Sequence, residues 1–448
     1  MQNETSSPIE NGQVDELVTE EKEKEGVSFY KKLGILALVQ GVLLLVFVLW
    51  FIHRDYNNSI ISFLRDIIRN GISILGKVAQ VYFGNKISWI LTICFIIVQL
   101  IILKFLPGIK VYGPPDKNNY RPEYKKNGLA AFILTIAVYL GSAYGLNLFS
   151  PSIIYNNFGY FLGTFNIIAV TLCSFLYLKG KTFPSKGEHG TTGSAILDYY
   201  WGMELYPRIF DIDIKQFTNC RFGMTLWAIL ILVHLHKHYE LNGVLSNSII
   251  VSGLLQLVYI IKFFTWETGY FNTIDIMHDR AGFYICWGCL VFLPIIYTLP
   301  TLYLVKAEYN LSYNKAILVF TIGLYAIYMN YSIDLQRQEF RNNKLKSMPY
   351  INANYIDEEG NYKQNKLLLG GYWGMARHIN YTFELLAALM WTVPAGYSHL
   401  YPYIYVIYLT ILLLHRIKRV EDRCEQKYKK DWDEYKAIVP YNMITRVY

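Results

Sequence analysis

A set of basic residues beside a short aromatic turn is the part of this chain best suited to chemistry. Arg337 and Arg341 are spaced so that a helix would set both guanidinium groups on one face. Arg377 and Tyr381 repeat that spacing inside the stretch LLLGGYWGMARHINY, Leu367–Tyr381, where Arg377, His378, Asn380 and Tyr381 crowd together just before an apolar run. Arg416 directly follows another apolar run, and Lys427 lies farther along the same segment. Cations converging in this way would hold a polyanion, with arginine favoured for its two-pronged geometry. Trp373 and Tyr381 add flat faces for an aromatic ring. The structural alternative, basic residues anchoring the cytosolic ends of membrane helices, explains one or two of these positions but not the cluster. An ionisable residue at bilayer depth is a functional candidate by default.

Other chemistries lack their motifs. No GxGxxG follows a strand and no GxxxxGK[ST] occurs, so a nucleotide would have to bind within the helical bundle itself. HExxH and GxSxG are absent as well. Cys286 and Cys289 form a CxxC inside an apolar run, where small packing residues are expected rather than a redox pair. His234 and His238 would share a helix face, yet no carboxylate or cysteine stands beside them. An interfacial histidine cluster is expected there, and no metal.

The elements that must position these residues are membrane helices. Of 448 residues, 53% are hydrophobic and 17% charged, and uncharged stretches long enough to cross a hydrocarbon core recur. The clear ones are Leu33–Ile52, Ile87–Leu103, Leu129–Ser150, Phe158–Leu178, Ala281–Val305 and Ala316–Ile333. Shorter or more polar candidates are Phe222–Leu235, Ile249–Ile261, Leu385–Ser398 and Leu400–Leu414. This pattern predicts an all-α polytopic bundle of about ten transmembrane helices, because a helix satisfies its own backbone in lipid. Residues 1–28 form an acidic, apolar-poor tail expected to be disordered and cytosolic, and 29–448 the membrane domain. Lys31 and Lys32 beside the first span give that orientation, and the polar lead does not resemble a cleaved signal peptide. The net charge of +8 is spread through loops and tail, which suits lipid contact and offers no basic arm for nucleic acid.

Between the spans, Asp334–Lys366 reads as a charged run followed by a surface loop, and no strand-rich domain or internal repeat is evident. After the last span, Ile417, Val420, Cys424, Tyr428, Trp432, Tyr435 and Ile438 recur at steps of three and four. They predict one amphipathic helix ending near Pro440, packed on the bundle or the membrane surface.

Two motifs carry a resemblance: LDYYWGMELYPR at Leu197–Arg208, and LLLGGYWGMARHINY at Leu367–Tyr381. With the tail block DRCEQKYKKDWDEYKAIVPY, Asp422–Tyr441, they resemble the sterol reductase family. That family includes the sterol C-14 and C-24(28) reductases, the lamin B receptor and 7-dehydrocholesterol reductase. Thr265–Pro294, Asp334–Arg341 and Glu384–Ala395 are similar to the plant-type 7-dehydrocholesterol reductase branch. The resemblance implies an enzyme of the endoplasmic-reticulum membrane that uses NADPH to reduce the 7,8 double bond of a 5,7-diene sterol. It implies a cofactor pocket mainly within 334–441, lined by Arg337, Arg341, Leu368, Trp373, Arg377, Asn380, Tyr381, Arg416, Cys424, Glu425, Gln426, Lys427, Tyr428 and Tyr435. An isolated double bond accepts hydride poorly and must first be protonated, and Tyr259 matches a proton donor proposed for the family. Asp275, His278 and Asp279 are candidates for the substrate side, with capping and ion pairing between spans as the structural alternative. Partners implied are the sterol, the bilayer and other enzymes of sterol synthesis.

Several positions depart from the family pattern. Val420 stands where an aspartate is usual, with Glu421 next to it as the available replacement. Phe383-Glu384 replaces a common Gly-Asp pair, Lys429 replaces a glycine, and Cys289 replaces an aspartate of several subgroups. Two other readings therefore stay open: a C-14 reductase acting on 8,14-dienes, and a sterol-binding membrane scaffold without turnover.

Overall fold

The computed structural model describes residues 29–71, 74–356 and 360–447. The acidic segment 1–28, expected to be disordered, lies outside the described residues. Among the described residues, eight helices are long and apolar enough to cross a membrane: α1 (Phe29–Asp55), α2 (Lys86–Phe105), α3 (Gly128–Gly145), α4 (Phe158–Thr182), α5 (Gln216–Asn242), α6 (Asn247–Thr265), α7 (Phe283–Leu304) and α8 (Tyr313–Arg341). They are followed by α9 (Ile379–Thr392), α10 (Ile404–Tyr428) and α11 (Lys430–Ile438). The all-α polytopic class holds.

Two of the ten expected spans, α9 and α10, are not among the eight that length and composition single out. A helix of 14 residues such as α9 reaches about 21 Å, short of a core of about 30 Å. It ends in a tight turn at Val393–Ala395, where proline stops helical hydrogen bonding. Only the first part of α10 is apolar. Conversely, α5 begins well before the expected Phe222, because Arg221 is neutralised inside the protein. Its Nη1 lies 2.6 Å from Glu267 Oε1, and neither side chain is more than 1% exposed. His234 and His238 are not interfacial either: both are buried, hydrogen-bonded at 3.0 Å to Thr301 Oγ1 and the Leu304 carbonyl, and so tie α5 to α7. Cys286 and Cys289 are buried packing residues.

The site depends on how α8 is set against its neighbours. It packs on α9 and α6. Gly323 permits the close crossing, since a Cβ there would meet Leu255 of α6 at 2.5 Å. Beyond Arg341 the expected surface loop is instead an antiparallel hairpin, β1 (Tyr350–Ile356) and β2 (Tyr362–Leu368), paired from Tyr350↔Leu368 to Ile356↔Tyr362. Alternation along β1 buries Ala353 against Tyr428, Trp432, Tyr435 and Val439. The tail stripe therefore packs on this hairpin. The tail is also two helices rather than one. Lys429 breaks it at φ +50°, and the shifted phase leaves Ile438 exposed while Val439 is buried.

A side chain at φ +50°, ψ −119° is strained, at a cost of about 1–3 kcal/mol. Lys429→Gly is expected to relieve this, with part of the gain offset by a freer unfolded chain. A melt of detergent-solubilised protein should rise by a few degrees with turnover unchanged. A midpoint that falls would show that the turn carries no strain.

Candidate active site

The C-terminal half of α8 is the platform on which the central signature is built. Trp373 Nε1 donates to the Ile333 carbonyl at 2.9 Å, and the Tyr372 amide donates to Gln336 Oε1 at 3.0 Å. Asn380 Nδ2 donates to Asp334 Oδ1 at 3.0 Å, and Asn330 Nδ2 donates to the Asn380 carbonyl at 3.1 Å. Gly371 sits at φ +64°, directly over Gln336, where a side chain would not fit. Four contacts from one helix thus fix the turn that carries Trp373 to Tyr381. Trp373 is buried and does not offer a free face: the Arg337 guanidinium stacks on it at 4.6 Å. Tyr381 stacks on His378, 5.6 Å between ring centres and 11° from parallel.

The basic residues divide into two groups. Arg377, Arg416 and Arg419 are ion-paired. Arg377 grips Glu421 with Nε and Nη2 at 3.0 and 3.1 Å, and gives Nη1 to the Val439 carbonyl at 2.6 Å. His378 Nε2 lies 3.0 Å from the same carboxylate. Burial pushes the Glu421 carboxyl up, but His378 and Arg377 outweigh it and hold the group below the usual range. Glu421 is therefore committed to closing the tail onto the signature turn. Arg416 Nη2 contacts both Asp275 oxygens at 2.7 and 2.8 Å, and Arg419 Nη2 lies 2.5 Å from Asp279 Oδ1. Arg423 donates to His278 Nδ1 at 3.1 Å. Burial, then the cations around it, Arg423 foremost, bring His278 down to about 4, so at neutral pH its ring is an uncharged acceptor. Asp275, His278 and Asp279 thus anchor α10. Lys215 holds their turn from beneath, donating to the carbonyls of Asp275, Ile276 and Asp279 at 2.7–2.9 Å.

The second group is open. Arg337, Arg341 and Lys427 are exposed and make no ion pair among the described residues. Arg337 lies within electrostatic reach of Arg341, Cys424 and Tyr435, so the end of α8 faces the tail. Lys427 is held 3.9 Å over the Tyr355 ring of the hairpin. Like charges one turn apart disfavour each other unless an anion lies between them. Leu368 and Tyr435 are buried, and Tyr428 accepts from Asn365 Nδ2 at 2.8 Å. Glu425 and Gln426 are exposed on α10, and Glu425 pairs with Lys436 at 3.2 Å. Neither makes a hydrogen bond or ion pair with Arg337, Arg341 or Lys427 among the described residues.

A second polar focus lies deeper. Tyr259 of α6 donates to Glu384 Oε1 of α9 at 2.6 Å, beside the rings of Trp391 and Trp227 at 5.4 and 5.9 Å. Lys262 stands 4.3 Å over the Tyr259 ring and donates to Asn330 Oδ1 at 2.7 Å. Through Asn330 and Asn380 this focus connects to Asp334 and the open cations. Sequence reasoning missed Lys262, Asn330 and Asp334, although Asp334 opens the charged run it had marked. Glu384 was noticed only as a departure.

Comparison with known proteins agrees with this architecture. Residues 21–448 match the ergosterol biosynthesis ERG4/ERG24 family. The chain belongs to this family. It is 42% identical over 429 residues to an Arabidopsis thaliana protein named 7-dehydrocholesterol reductase, covering 94% of this chain and 98% of that one. A Xenopus laevis protein of the same name is 38% identical, over 77% of this chain and 75% of its own length. A Delta(14)-sterol reductase of Methylotuvimicrobium alcaliphilum is 35% identical, over 78% and 81%. As a member of this sterol reductase family the chain is an oxidoreductase with a multi-pass membrane fold.

Proposed function

We propose that this protein reduces the 7,8 double bond of 5,7-diene sterols with NADPH, in the endoplasmic-reticulum membrane. The observation that carries the reading is the pair of linked sites: unpaired cations where the end of α8 faces the tail, and a half-buried phenol on α6 joined to them through Lys262, Asn330, Asn380 and Asp334. The donor set suits the cofactor. Arg337, Arg341 and Lys427 offer cations for phosphates, and Asn380 Oδ1 is buried without a partner, a free acceptor for an amide N–H. When bound, NADPH supplies the hydride. The chain supplies the rest. Tyr259 holds the proton destined for the sterol carbon, and Trp391 and Trp227 shield the resulting cation from water. Trp373 fixes Arg337, and the Arg377–Glu421 latch closes the tail onto the signature turn.

The test is turnover by membranes expressing this chain, given NADPH and either 7-dehydrocholesterol or an 8,14-diene sterol, with products read by mass spectrometry. NADPH-dependent loss of the 5,7-diene alone is expected. Reduction of the 8,14-diene alone would move the protein to the C-14 activity of its Delta(14)-sterol relative. Sterol binding with no consumption of either would make it a scaffold.

A further inference from the structure

We propose that Glu384 re-protonates Tyr259 during turnover, as a positioning and proton-returning residue that acts through the phenol; this rests on the reductase reading above. Three observations lead to it. The Tyr259 hydroxyl makes a single short contact, 2.6 Å to Glu384 Oε1, and its ring is walled by Trp391 and Trp227. The other carboxylates near the site are engaged elsewhere: Glu421 by Arg377 and His378, Asp275 by Arg416, Asp279 by Arg419, and Asp334 by Asn380. Finally, Lys262 sits 4.3 Å over the Tyr259 ring and within electrostatic reach of Glu384.

The chemistry requires such a partner. A phenol that gives its proton to carbon becomes a phenolate. A phenolate touching a carboxylate in this half-buried site would place two negative charges side by side. Glu384 therefore carries a proton in reserve for the phenolate while the sterol carbon is being protonated. The Tyr259 O–H bond breaks as a C–H bond forms on the sterol. The Glu384 carboxylic O–H bond breaks as the Tyr259 O–H bond re-forms. One negative charge is left on Glu384, facing Lys262. A proton taken up from bulk solvent then restores Glu384, and NADPH, when bound, would supply the hydride for the other alkene carbon. The sum is one proton and one hydride added per double bond. The remaining groups facing Glu384 are Asp334 from α8, Tyr297 from the α7 side and Tyr405 from α10.

Under this assignment the valine at 420 removes no proton source, because the carboxyl that serves Tyr259 is delivered by α9 and not by the tail.

The test compares Glu384→Gln, Glu384→Asp, Tyr259→Phe and the double variant Glu384→Gln/Tyr259→Phe in the same membranes. Gln keeps the hydrogen bond but cannot return a proton, whereas Asp can return one from a shorter arm. Glu384→Gln is expected to lower kcat about 10²-fold or more, with both KM values within about twofold, and Glu384→Asp to retain more activity than Gln. The double variant should be no slower than Tyr259→Phe. A merely structural role reverses the ranking, with Gln tolerated and Asp not, and overturns the proposal. So does a double variant whose loss is the product of the two single losses. An inactive wild-type chain overturns the reductase reading and this inference together. An active wild type with an unaffected Gln variant overturns this inference alone.

Discussion

Replacing Arg341 with alanine is expected to raise the KM for NADPH about 10- to 100-fold while kcat at saturation changes little. A charge-assisted hydrogen bond contributes about 1.5–3 kcal/mol, and each 1.4 kcal/mol is about tenfold in affinity. Arg341 suits the experiment better than the other arginines because, among the described residues, it has no carboxylate partner and supports no ring. Its loss removes a repulsion with Arg337, so the melting midpoint should hold or rise slightly. Gln426→Ala, on the outward side of α10, is the control and should leave the KM untouched. An unchanged KM for Arg341→Ala would remove the open cations from the cofactor site.

Arg377→Ala is expected to do more damage of a different kind. Its guanidinium and the Glu421 carboxylate are 7% and 18% exposed, and Arg377 also holds the Val439 carbonyl and Asn442 Oδ1. Removing one partner of a buried pair leaves the other charge uncompensated and costs about 3–5 kcal/mol. Stability and cofactor affinity should fall together, as the tail loosens from the signature turn. Arg377→Ala/Glu421→Ala should melt higher than Arg377→Ala, since the stranded carboxylate is gone. A single variant that melts like the wild type would show that the latch does not hold the tail.

These two arginines also mark how far the sequence could be read. The membrane class and most spans were legible because lipid demands long apolar runs, and the clustering of basic residues near the end of α8 and the tail was visible from helical spacing alone. What spacing cannot show is which cation already has a partner. Arg377 and Arg341 look alike in sequence, yet one is neutralised by a carboxylate far along the chain and the other is not. The hairpin after Arg341 was hidden for a related reason. Its strands are polar and mostly exposed, with inward burial confined to a few positions such as Ala353, so no alternating apolar pattern announced it. Arg221 misled in the opposite direction, since its neutralising Glu267 lies beyond the next span. The linked Tyr259, Lys262 and Asn330 residues sit singly within apolar runs and become a network only when α6, α8 and α9 meet.

The closure of the tail has a consequence for biogenesis. The Arg377 and His378 amides donate to the carbonyls of Tyr441 and Asn442, and Thr382 Oγ1 donates to the Met443 carbonyl. All eight spans precede these contacts in the chain. By the time residue 420 has been made, all eight described spans exist, but neither Glu421 nor the carbonyls that seal the signature turn do. The order of synthesis therefore sets the order of assembly: the described spans come first, and the closure of the signature turn follows them.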